Sequence, residues 1–183
     1  MRPSQLWKQL PAPTRVRLAA AFWADTESAD VQVQHAEATV ALAKRLNFRV
    51  KSVRALPLDT RARYLAYTND VPDTVAMRAL VAYHLAHERP LMASFLDALG
   101  IAHDQGVITS EQVDPPSAEQ VSKAVSAIRA SYSAAVVDLY LRTLVAVDAD
   151  TWREVGPLIP QDEPPGPDKG PDKDDKDDKD DKE

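Results

Sequence analysis

The sequence predicts an all-α protein, a single irregular bundle of about seven to nine helices followed by a disordered acidic C-terminal tail. Three observations carry that expectation. Apolar residues recur at spacings of three and four through nearly all of residues 1–161, the period of one helical face. Prolines and capping residues break that pattern at short intervals, and no alternating stretch finds a partner strand. The last twenty residues, Pro164–Glu183, hold no apolar side chain larger than proline and close on Asp-Asp-Lys repeated three times, Asp174–Lys182.

Taken in order, Ser4–Leu10 forms a short helix that stops before Pro11. Pro13 suits the first turn of the next helix, which runs to about Asp25 with Val16, Ala20 and Trp23 on one stripe. Ala29–Leu46 is a long alanine-rich helix in which Ala36, Val40 and Ala43 repeat at four and three. Such small side chains let a neighbour approach closely, which places this helix centrally. Phe48–Lys51 alternates as a strand would, yet nothing pairs with it, so Phe48–Leu58 reads as a helical turn or an irregular connector. Pro57 opens Leu58–Thr68, with Ala62, Leu65 and Ala66 facing inward. Pro72 and Asp73 open a helix that reaches Glu88 and aligns Met77, Leu80, Val81 and His84.

Pro90 opens Leu91–Leu99, and Gly100 suits the left-handed conformation that ends a helix, with Ile101 folding back onto Leu96. The loop Ile101–Pro116 turns at Asp104-Gln105-Gly106 and directs Val107 and Ile108 into the core. Ser117 and Gln120 form a capping box that launches a helix carrying Val121, Val125, Ile128 and Tyr132 on its face. Ser133–Val147 repeats the pattern through Val137, Tyr140, Leu141 and Leu144. Thr151 with Glu154 caps a last turn bearing Trp152, Val155, Leu158 and Ile159.

The organisation is therefore one all-α domain, residues 1–161, and a tail, 162–183. A period of three does not match 3.6 residues per turn, and aspartate is a weak helix former, so the tail is expected to be disordered and self-solvating. A domain of this length buries roughly 70% of its unfolded surface and needs no covalent staples. With no cysteine, the chain has no disulfide framework, thiolate metal site or cysteine nucleophile. The last twenty residues hold nine acids and five lysines, net −4 of the chain's −6, which leaves the residues before them at −2 and without a field to attract nucleic acid. Two of the five glycines lie in the tail, too few elsewhere for a phosphate-cradling loop. The start lacks the apolar stretch of a signal peptide and no run of eighteen apolar residues occurs, so a cytoplasmic protein off the membrane is expected.

Candidate chemistry centres on the histidines. On a helix, His84-Leu85-Ala86-His87-Glu88 sets His84 on one face with His87 or Glu88, and His103 or Asp104 from the following loop would complete a three-ligand metal site. The order fits neither zinc-protease motif, and the Glu-x-x-His of di-iron bundles is absent. The competing reading makes His84 a core histidine with one hydrogen bond and His87 a surface residue. The loop resembles the EF-hand family in Gly106 and Ile108, but the frame's liganding positions hold Ile101, His103, Gln105 and Gln112. None supplies the charged oxygen that calcium needs.

A second candidate is electrostatic. Ala38–Leu58 contains no acid, while Lys44, Arg45, Arg49, Lys51 and Arg54 contribute +5, and Arg61 and Arg63 follow. Phe48, Tyr64 and Tyr67 lie among them, as on a nucleic-acid or protein-binding surface; the alternative is a solvated face with long stems covering core edges. No Gly-x-Ser-x-Gly elbow occurs, and no catalytic residue is singled out. Three functional classes result. The first is a non-enzymatic protein-interaction or scaffold module, with another protein as partner and no cofactor. The second is a metal- or small-ligand-binding bundle using His84, His87, Glu88, His103 and Asp104. The third is a nucleic-acid-associated regulator using residues 44–63.

Overall fold

Nine α-helices and one 3₁₀ helix make up nearly all the regular structure of the described residues. These are residues 1–26 and 29–160 of a computed structural model; the acidic tail expected at 162–183 lies outside them. In chain order the helices are α1 (Pro3–Gln9), α2 (Ala12–Ala24), α3 (Ala29–Leu46), α4 (Val50–Arg54), α5 (Leu58–Ala66), α6 (Asp73–His87), α7 (Arg89–Leu99), α8 (Ala118–Ser131) and α9 (Ala134–Val147). The 3₁₀ helix spans Arg153–Leu158.

Local chemistry sets most boundaries. Pro11, Pro57 and Pro72 occupy the N-cap positions of α2, α5 and α6, where a missing N–H leaves no bond unmade. Asp73 also reaches across to α1, where its carboxylate accepts the Ser4 N–H at 2.9 Å. That pairing with Ser4 holds the Asp73 carboxyl below its usual range. Helix α3 ends with Asn47 at φ 52° and the Phe48 N–H bonded to the Ala43 carbonyl at 2.9 Å. The chain then turns once more as α4, so the strand-like alternation of Phe48–Lys51 does not become a strand. Gly100 takes φ 71°, and the Ile101 N–H returns to the Leu96 carbonyl at 3.0 Å. Ser117 and Gln120 close their reciprocal cap.

The second expected cap does not form. Thr151 and Glu154 are not joined; instead the Asp148 carboxylate accepts the N–H groups of Asp150 and Thr151 at 3.2 and 3.1 Å. An aspartate two and three residues ahead of those donors reaches them in an Asx-type turn, in place of the downstream Glu154 side chain.

The loop after α7 holds a small antiparallel hairpin of β1 (His103–Asp104) and β2 (Val107–Ile108), in the register His103↔Ile108 and Asp104↔Val107. Gln105 and Gly106 have φ 46° and 83°, the pair of positive values a two-residue type I′ turn requires. The hairpin lies directly on α7, so a Cβ added at Gly106 would stand 2.5 Å from the Met92 Cβ. Strand alternation turns Ile108 toward the core, while Val107, expected inside, is 42% exposed.

Buried apolar side chains form two clusters rather than one interior. The first gathers Leu6, Trp7, Phe22, Trp23, Leu42 and Leu65 from α1 to α5 against α6. The second gathers Phe95, Leu96, Val121, Ile128, Leu141 and Trp152 from α7, α8, α9 and the 3₁₀ segment. Helix α6 is the central element: it packs on α1, α2, α3, α7 and α9 and buries Val75, Ala76, Ala79, Leu80, Ala82, Tyr83 and His84. Helix α3, expected at the centre, lies on the flank. Its exposed side carries Ala36 and Val40, whereas Val31, Ala38 and Leu42 point inward and His35 stacks on Phe22 and Trp23 at 4.7 and 5.0 Å. Leu42 and the His35 ring offer more area than the alanine stripe, and area decides the face. The same reason leaves Ala20 exposed on α2 while Leu18 and Phe22 are buried. No helix of the described residues is long and apolar enough to cross a membrane.

The two positive-φ glycines should respond differently to alanine. Gly100→Ala meets open space and should lose about 1 kcal/mol, the backbone penalty alone. Gly106→Ala adds a collision with α7 and should lose about 3 kcal/mol, read from urea unfolding of both variants.

Candidate functional site

The histidines separate into structural roles. His84, on the α9-facing side of α6, is 2% exposed, and its Nε2 lies 3.1 Å from Thr143 Oγ1. The Thr143 hydroxyl already donates to the Leu139 carbonyl at 2.8 Å, so it accepts from His84 and fixes the imidazole proton on Nε2. Nδ1 is buried with no hydrogen-bond partner in the described structure. Desolvation lowers the His84 pKa from 6.5 to about 4, and the rings of Tyr83 and Tyr140 stand edge-on at 5.4 and 5.3 Å.

The other candidate ligands are engaged elsewhere. His87 is exposed at the end of α6 with its ring 5.2 Å from that of Tyr83. Glu88 accepts the Tyr83 hydroxyl at 3.2 Å, and that hydroxyl in turn accepts from Arg17, whose guanidinium also covers the Tyr83 ring at 5.1 Å. His103 Nδ1 accepts the Gly106 N–H at 3.2 Å, which leaves Nε2 to donate to Asp97 at 3.0 Å. This ring is a strut between the hairpin and α7. Asp104 faces outward from the hairpin. Among the described residues, no group of three or more histidines and acids is placed to share a metal ion.

The basic segment divides in two. Arg45 donates to Thr68 Oγ1 at 2.5 Å and to the Tyr64 carbonyl at 3.3 Å, tying α3 to the end of α5. Arg61 lies over the Trp23 ring at 4.8 Å. Both are structural. Lys44, Arg49, Lys51, Arg54 and Arg63 are exposed and make no ion pair or side-chain hydrogen bond among the described residues. They share the α3–α4–α5 surface with a concentration of exposed apolar groups. Of nine large apolar side chains exposed among the described residues, five, Val40, Phe48, Val50, Leu58 and Tyr67, lie between residues 38 and 69. Asp59 is the one acid in that span. Sequence pattern does not reveal this exposure, because an apolar residue at helical spacing reads as core.

Clefts are the other feature without a sequence signal. One of about 340 Å³ opens between α6, α7 and α9 beneath the hairpin, lined by Val81, His84, Met92, Tyr140 and Leu144 among others. Another of about 390 Å³ lies beside α1 and α9 with Leu10, Arg17, Val136 and Arg142 on its walls. A third, about 580 Å³, separates α2 from α6 next to Asp25 and Arg78, which are paired at 2.6 Å. No protein-family model, curated protein or solved structure matches the chain.

The His84 site makes stability depend on pH with a definite sign. Its folded pKa of about 4 lies below the unfolded 6.5, so the neutral imidazole's contribution is complete above pH 6.5 and fades as pH falls toward 4. By about pH 4.5 this loss amounts to about 2–3 kcal/mol. His84→Leu should remove it, so the fall in unfolding free energy between pH 7 and pH 4.5 should be smaller in the variant by that amount. An equal fall in both proteins would show that the buried imidazole accepts its proton freely.

Proposed function

We propose that this protein is a non-enzymatic docking module, and that its partner is a protein segment combining acidic residues with apolar anchors. One observation carries the reading: unpaired Lys44, Arg49, Lys51, Arg54 and Arg63 interleave with exposed Val40, Phe48, Val50, Leu58 and Tyr67 on one run of three short-linked helices. Exposed apolar side chains gathered in this way mark interaction surfaces, because covering them releases water. Cations around them steer an acidic partner and set its register, while the apolar groups provide most of the affinity. Phe48 is 45% and Tyr67 57% exposed, which leaves ring area to bury without unfolding anything.

Nucleic acid fits this surface less well. Val40, Val50 and Leu58 present aliphatic faces on which bases do not stack, and the chain carries net charge −6.

Peptide-display selection against the full chain should enrich acidic sequences with two or more aromatic or aliphatic anchors. A selected peptide should bind roughly tenfold more weakly to Phe48→Ser, and to the double variant Arg49→Glu, Lys51→Glu, with helicity unchanged. Raising salt from about 50 to about 500 mM should weaken it further. Selection without such a consensus, or binding indifferent to both variants, would sink the reading. A single-stranded oligonucleotide held more tightly than any selected peptide would transfer the surface to nucleic acid.

A further inference from the structure

The two core clusters meet along α6 and α9, and their junction is not filled. The cleft of about 340 Å³ there has α6, α7 and α9 as walls and the hairpin residues Gly106, Val107 and Ile108 as its cover. Its surface is mostly aliphatic, with the Met92 thioether and the Trp152 and Tyr140 rings set among Val81, Leu96 and Leu144. No charged side chain lines it.

Its polar groups differ in what they leave unmet. Thr143 accepts from His84 and donates to Leu139, so its hydroxyl is satisfied. His84 has its proton fixed on Nε2 and stays neutral. Tyr140 is 3% exposed, with its ring held edge-on by Phe95 at 5.5 Å and His84 at 5.3 Å. Its hydroxyl makes no hydrogen bond among the described residues. Burial raises the Tyr140 pKa, so the group stays protonated and able both to donate and to accept. That hydroxyl belongs to a residue lining the cleft and has no protein partner there, which leaves it open to an occupant of the cleft.

We propose that this cleft binds a small, flat, uncharged aromatic molecule whose N–H, O–H or carbonyl pairs with the Tyr140 hydroxyl. The volume suits one or two fused rings. Ring edges and a thioether favour an aromatic occupant over an aliphatic one. A charged ligand would enter apolar surroundings without a counter-charge, which excludes that class. This site is separate from the α3–α5 surface and does not depend on the docking reading.

The test uses the full chain labelled with ¹³C at its three methionine methyls, of which Met92 lines the cleft while Met1 and Met77 do not. Titration with indole should move the Met92 resonance saturably and leave the other two in place. 1-Methylindole, which lacks the N–H, should bind about five- to tenfold more weakly than indole, and Tyr140→Phe should weaken indole to the same extent. Val81→Trp, filling the cleft from a half-buried position, should abolish the Met92 shift while far-ultraviolet dichroism stays unchanged. A Met92 shift that never saturates, or indole binding equal in wild type, Tyr140→Phe and Val81→Trp, would overturn the proposal.

Discussion

Burial of α6 on most of its circumference is the constraint from which the remaining architecture follows. Ala76, Ala79 and Ala82 let helices approach closely, while Leu80, Tyr83 and His84 fill the wider gaps between them. The polar side chains on the enclosed faces of such a helix are out of water, so they must find partners inside. His84 bonds to Thr143 across to α9, and Tyr83 joins Arg17 of α2 to Glu88 at the helix end. Arg78 pairs with Asp25 at 2.6 Å. These bonds specify which helix lies on which side of α6 more than apolar area does, since apolar contact is non-directional. His84 Nδ1 is left buried without a hydrogen bond, and burial makes protonation of the ring unfavourable in the fold.

Because α9 contributes to both core clusters and α6 packs against α7 and α9, the chain forms two packed regions sharing a wall. Leu139 of α9 joins the first cluster while Val137, Tyr140 and Leu141 join the second. A seam between two such regions is where packing is hardest to complete, and clefts of about 340 and 390 Å³ lie along it. The hairpin covers the first only because Gly106 lets its backbone rest on α7 and His103 braces the turn against Asp97. An element of four paired residues has little stability alone. Its contacts with α7 hold it in place.

The surface of α3, α4 and α5 follows a different logic. Arg45 and Arg61 are spent on the fold, one closing α5 and the other covering Trp23, so their charge is held close to the protein. The five remaining cations have no such work and face water beside Phe48, Tyr67 and their aliphatic neighbours. Charge without internal partners is concentrated here together with uncovered apolar area. It is the feature on which the docking reading rests.

Features made within four residues of the chain were legible in the sequence: the proline-led starts of α5 and α6, the Gly100 stop, and the Ser117–Gln120 box. The one-turn helix α4 was legible as one of two readings for Phe48–Leu58. Each depends on backbone groups and side chains that meet whatever the rest of the molecule does. Which face of α3 turned inward was not legible, because Ala36 and Val40 keep the helical period as well as Val31, Ala38 and Leu42 do. Nor was the division of labour among His84, His87 and His103, nor the choice of Asp148 over Thr151 and Glu154 as the last cap. Period and composition fix that helices form and where they end; the bulk and hydrogen-bonding needs of neighbours brought from tens of residues away fix which side chains they bury.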